Sequence, residues 1–243
     1  MTANPSVDTN TLTMTDAVGN NGLGGTLRLW QLISPTLPVG AYAYSAGLEY
    51  AVASGWISDE AGLERWTGGQ IRHALAGVDA PVLTRLYRAW EANDRDAVLH
   101  WTRELLASRE TAELRAEDRH MARAMARVLA ELGESDARDW DRPEDTSWAA
   151  LYSLAAVRWG VSLEEAVAGY LWAWLENQVA AGVKLIPLGQ SAGQRVLYRA
   201  AEQIPAAVAY GIDCSDEAIG AGAPGVALAS AAHETQYTRL FRS

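Results

Sequence analysis

The chain has 243 residues, thirty acidic and twenty basic, for a formal net charge of −10. That balance argues against a general nucleic-acid binder, and the single cysteine, Cys214, excludes an internal disulfide framework. At 49% hydrophobic the chain can bury a substantial core, and ten Trp and nine Tyr against one Phe give most of its aromatics a polar handle.

Residues 1–25 are rich in Thr, Asn and Gly, with no apolar period, no basic start and no apolar run. They read as a disordered tail rather than a targeting signal. The two longest apolar stretches fail as membrane spans: Ala166–Leu175 is too short, and Ala218–Ala232 is interrupted by glycines and Pro224. A soluble, cytoplasmic protein is therefore expected.

From Thr26 a short helix carries Leu27, Trp30 and Leu32, and Ser34-Pro35 with Leu37-Pro38-Val39-Gly40 ends it in a loop. Tyr42 and Tyr44 decorate that loop, and Ser45 is placed to cap the helix that follows. Ser58-Asp59-Glu60 opens a helix through Leu63, Trp66 and Ile71, and Pro81 suits the first turn of another. Asn93 or Asp94 caps a helix with Val98, Trp101 and Leu105. Met121, Met125, Val128 and Leu132 then line one face of a helix over residues 113–132. Residues 133–146 read as a loop, and a helix over residues 147–159 follows.

The most apolar segment starts at Ser162-Leu-Glu-Glu165, a capping box. Leu171, Leu175, Val179, Val183 and Ile186 recur at helical spacing, so this helix is expected to be central. Asn177 and Lys184 share one of its stripes, and Lys184 is the only lysine beside nineteen arginines. It either snorkels from the end of a core helix or serves a partner site or internal polar passage. Pro187 breaks the helix. Gly189 and Gly193 sit four apart on the next one, where close helix packing is expected, with Gln190 and Gln194 on an adjacent stripe. A last helix begins near Pro224. Strand-like alternation is almost absent, so the fold expected is all-α, a single domain of about ten helices over residues 26–232.

Arg115, Arg119, Arg123 and Arg127 form a basic row diluted by Glu113, Glu117, Asp118 and Glu131, and it reads as a solvated helix face. Ala43-Tyr-Ser45-Ala-Gly47 is one residue from a hydrolase nucleophile elbow, but that motif needs a strand before it and a sheet below it. His73, His100, His120 and His233 are scattered, so no preformed metal site is expected. The glycines after Pro187 lack the Gly-Lys-Ser/Thr ending of a phosphate loop.

Residues 233–243 are unusual for a chain end. Tyr237, Leu240 and Phe241 interleave with Arg239 and Arg242, residue types that dominate interface energetics. The segment is expected to dock, onto its own core or, in the reading taken, onto a partner.

Three blocks together resemble the urease accessory protein F (UreF) family: Leu29–Glu49, Lys184–Gln194 and His233–Ser243. Thr238 stands where the family's tail would suggest Ser. The resemblance implies an all-α, dimer-forming scaffold with no reaction of its own. It implies partners: accessory protein UreD (also called UreH), the GTPase UreG and, through them, apo-urease. It implies GTP-dependent nickel insertion, with nickel in transit and no stably bound cofactor. The tail residues His233, Glu234, Tyr237, Arg239, Leu240, Phe241 and Arg242 would then contact a partner. Lys184, Gln190, Gln194, Glu49, Tyr42 and Tyr44 would face a partner or line an internal passage. A helical adaptor unrelated to urease is the alternative.

Overall fold

The computed structural model describes residues 23–141 and 146–243. Among these it contains eleven α-helical segments and no strand: α1 (Leu23–Leu32), α2 (Leu48–Ala53), α3 (Glu60–Gln70), α4 (Ala80–Glu91), α5 (Arg95–Ser108), α6 (Ala112–Glu131), α7 (Trp148–Arg158), α8 (Leu163–Leu185), α9 (Gln190–Ala201), α10 (Ile204–Asp213) and α11 (Pro224–His233). The expected all-α single domain is what forms. The disordered tail expected at residues 1–25 lies mostly outside the described residues, and where the two overlap the helix already begins, at Leu23 rather than Thr26.

Local chemistry sets most helix starts. Asp59, Asp94, Thr111 and Ser147 each accept a backbone N–H from the first turn of α3, α5, α6 and α7. Ser162 and Glu165 complete the capping box of α8. That helix is the axle of the fold. It touches α1, α2, α3, α4, α7, α9 and α10, and Leu171 and Leu175 are fully buried. The helix all but ends at Leu185, two residues before Pro187.

Two expectations are corrected. A break was expected between Ile71 and Pro81, but α3 and α4 join through a π-helical turn, Ile71–Asp79, into one rod running from Glu60 to Glu91. Pro81 has no N–H to give the carbonyl of Gly77, and that carbonyl accepts from the N–H of Gly220 instead, at 3.1 Å. The wider turn satisfies the backbone from outside the helix, as such insertions often do. The second correction is α10, a helix over residues the sequence reading left unassigned. Pro205 lies within its first turn, where its missing N–H costs nothing.

Candidate functional site

The polar chemistry of the fold gathers where α2, α6, α11 and residues 234–243 meet. Gly47 makes the approach possible. Its φ is +82°, and a Cβ there would come within 2.8 Å of the Ser230 nitrogen, so α11 lies against the start of α2 only because the position is glycine. Ser45 is not the residue immediately before that helix, as expected, but its Oγ still accepts the Glu49 N–H at 3.3 Å.

His233, the last residue of α11, is fully buried. Its Nδ1 is 2.7 Å from Glu113 and its Nε2 3.2 Å from Glu49. Imidazole donates to both carboxylates only when both ring nitrogens carry protons. Glu49 also accepts the backbone N–H groups of Leu240 at 2.6 Å and Phe241 at 2.8 Å. Glu113 takes Arg239 at 2.7 Å. Farther on, the Arg242 N–H donates to the Ala43 carbonyl at 2.8 Å, the Ser45 N–H to the Ser243 carbonyl at 3.0 Å, and the Ser243 hydroxyl to Glu117 at 2.8 Å. Glu234 accepts from the Ala112 and Glu113 nitrogens, a carboxylate set at the positive end of α6.

The tail therefore docks on its own helices. Glu49, Glu113 and Glu117 supply its acceptors within the same chain. Phe241 is buried under the exposed Lys184, whose Nζ lies 5.6 Å from the ring centroid. Tyr237 and Leu240 point outward, fully and two-thirds exposed, and Arg242 is also exposed. Of the other expected contact residues, Tyr42, Gln190 and Gln194 are exposed, while Tyr44 and Glu49 are buried. Asn177 donates to the Tyr44 carbonyl at 3.1 Å, so it holds the loop on α8. A Cβ at Gly193 would come within 2.7 Å of Val183, which is the expected close packing of α9 on α8. Gly189 has open space and stands just before α9, so close packing there is corrected.

Beside the tail lies a cavity of about 410 Å³, opening between α1, the π turn, α6 and α8. Leu37, Leu75, Met121, Trp148 and Trp174 form its apolar wall. Its polar floor is Arg109, which sits 2.6 Å from Asp79 and 3.0 Å from Asp118. Burial opposes the charge on Arg109, but the two carboxylates outweigh it and raise its pKa well above the ordinary value. Tyr170, which donates to Asp79, is pushed up by burial first and by Asp79 second. Asp118 also accepts the Trp148 N–H at 2.5 Å, fastening α7 to α6. None of these network residues was marked as a site residue in the sequence. The one local hint was Asp79 standing directly before Ala80-Pro81.

Glu117, on the cavity wall, is pushed up to about 7 by burial, with the Ser243 hydroxyl opposing and Asp118 adding to the rise. Its folded pKa lies above the ordinary 4.5, so between these values the folded state holds a proton that the unfolded chain releases. Stability should therefore fall as pH rises from about 4.5 to 7, by on the order of 1–3 kcal/mol, and level off above. Denaturant melts across that range should show the slope in the wild type and a flatter line in Glu117→Gln. Parallel lines would contradict the assignment.

The basic row of α6 is largely engaged. Arg115 donates to the Arg109 carbonyl, Arg123 pairs with Asp141 at 2.9 Å, and Arg127 donates to the Arg123 carbonyl at 3.2 Å. Among the described residues no group of three or more His, Cys, Asp or Glu is placed to hold a metal ion. No helix among them is long and apolar enough to cross a membrane.

Fold and site together define an all-helical protein whose ionisable groups tie its C-terminal segment to its own helices beside one acidic cavity. A family model for UreF matches residues 57–201. The urease accessory protein UreF of Alkalilimnicola ehrlichii is 55% identical over 89% of this chain and 95% of its own length. Those of Alcanivorax borkumensis and Teredinibacter turnerae are 46% and 45% identical, again over 89% of this chain, and cover 97% and 98% of their own lengths. The chain belongs to the UreF family of urease accessory proteins, and its role lies in urease maturation.

Proposed function

We propose that the chain is a non-catalytic scaffold that bridges the accessory protein UreD (UreH) and the GTPase UreG, supporting GTP-dependent nickel insertion into apo-urease in the cytoplasm. Membership of the UreF family over nearly the whole chain carries this reading. The exposed Tyr42, and Tyr237 on the docked tail, add aromatic anchors, a residue kind that interfaces concentrate, and the exposed Leu240 adds apolar area. Lys184, Gln190, Gln194 and Arg242 offer polar contacts at the surface. The chain acts as a homodimer in this assembly, and nickel passes without being held.

Co-expression with UreD, UreG and apo-urease tests the reading. The chain should co-elute with UreD and UreG on size exclusion, and urease activity should appear only when the chain is present. The purified chain should keep no nickel through dialysis against a mild chelator. Equal activation without the chain, or separate elution of all components, would refute the scaffold role. One retained nickel would refute the transit assignment.

A further inference from the structure

We propose that the cavity between α1, the π turn, α6 and α8 is a binding site for a small organic cation, a primary amine or guanidine carried on an apolar stem. Its size, about 410 Å³, falls in the range of small-molecule sites, which combine apolar walls with a few placed polar groups. The walls here are Leu37, Leu75, Met121, Trp148 and Trp174, and they would hold an aliphatic or aromatic stem.

The charge of the lining selects the head group. Asp79, Glu110, Glu117, Asp118 and Glu176 line the cavity against a single arginine, Arg109. That arginine is already shared by Asp79 and Asp118. Glu117 spends one oxygen on the Ser243 hydroxyl, and its other oxygen has no hydrogen-bond donor among the described residues. No side chain among them is paired with Glu110 or Glu176. An anion would meet uncompensated like charge, and a wholly apolar occupant would strip these carboxylates of water without replacing it. A cation with N–H donors satisfies them.

A second observation lies in the same wall. Gln70 lines the cavity at only 6% exposure, and its Nε2 has no hydrogen-bond partner. One edge of this carboxamide is thus left unused, and such groups are uncommon in folded interiors. Its Oε1 takes no hydrogen bond among the described residues and can accept from an ammonium. The carboxylates are not gathered as a metal cage. The chemistry is that of an organic cation with a body to bury.

A free amine and a lysine side chain from another protein share this chemistry, and the proposal is the free amine. Isothermal titration of the full-length protein with n-hexylamine, n-hexanol and hexanoate at about pH 8.5, where Glu117 is ionised and the amine still protonated, tests it, with acetyl-Leu-Lys-Leu-amide as a fourth probe. Hexylammonium should bind at least tenfold more tightly than hexanol, and hexanoate should not bind. Glu117→Gln should erase the preference for the amine over the alcohol. Ala180→Leu places bulk in the cavity from an exposed position, so the fold survives, and it should weaken hexylammonium at least tenfold. Equal affinity for amine and alcohol, or unchanged amine binding in both variants, would overturn the proposal. Binding of the lysine peptide without binding of the free amine would also overturn it, and would make the cavity a socket for a partner chain.

Discussion

An Asp79→Ala variant is expected to lose about 3–5 kcal/mol of stability, the cost of leaving a buried charge with half its compensation. Arg109 reaches Asp79 through two nitrogens, at 2.6 and 3.1 Å, and Asp118 through a third. Removing Asp79 deletes the two-pronged contact and also leaves the Tyr170 hydroxyl without its acceptor. Asp118 cannot turn to compensate, because its other oxygen holds the Trp148 N–H. For a chain of this length the melting temperature should drop by about 6–20 °C. Asp79→Asn keeps an acceptor for Tyr170 and should fall between the two. A loss under about 1 kcal/mol for Asp79→Ala would mean that the network is wetter than its geometry indicates.

The second large effect belongs to Glu49. Its carboxylate gathers three donors from the far end of the chain: the Leu240 and Phe241 N–H groups and the His233 ring. Glu49→Ala leaves all three without an acceptor in a buried place. Each such orphan costs about 1–3 kcal/mol when it stays buried, and the protein can escape that cost by letting the tail leave. The expected result is therefore a folded, helical protein whose residues 234–243 are cut by protease far faster than in the wild type. Lost protection of the Leu240 and Phe241 amides in hydrogen exchange should accompany it. Glu49→Gln retains one acceptor oxygen and should show a partial effect. Unchanged amide protection in Glu49→Ala would show that Phe241 burial alone holds the segment.

How much of this was legible in the sequence follows the range of the interactions. The caps at Asp59, Asp94 and Ser162 act within three residues, so composition and spacing suffice to place them. Helical periodicity marked α8 as central for the same reason. The π turn was not legible, because it depends on Gly220 reaching the Gly77 carbonyl from the other end of the chain. Nor was the Arg109 network, which joins residues on the π turn, α6 and the segment between α5 and α6. The tail shows the division most clearly. Its arginines and aromatics announced that it would be bound, while the carboxylates that bind it lie more than 120 residues earlier, and no local pattern connects the two.

The docking of residues 233–243 also has a consequence for synthesis. Ser45 and Ser243 are joined across 198 positions, and Glu49 waits for Leu240 across 191. A ribosome adding about 5–20 residues per second leaves Glu49, Glu113 and Glu117 unpaired for many seconds while the helices between them collapse. Closure of such distant contacts is slow in proportion to the chain that must be organised first. Translation therefore proceeds with an open acidic seam between α2 and α6 until residues 233–243 emerge to seal it.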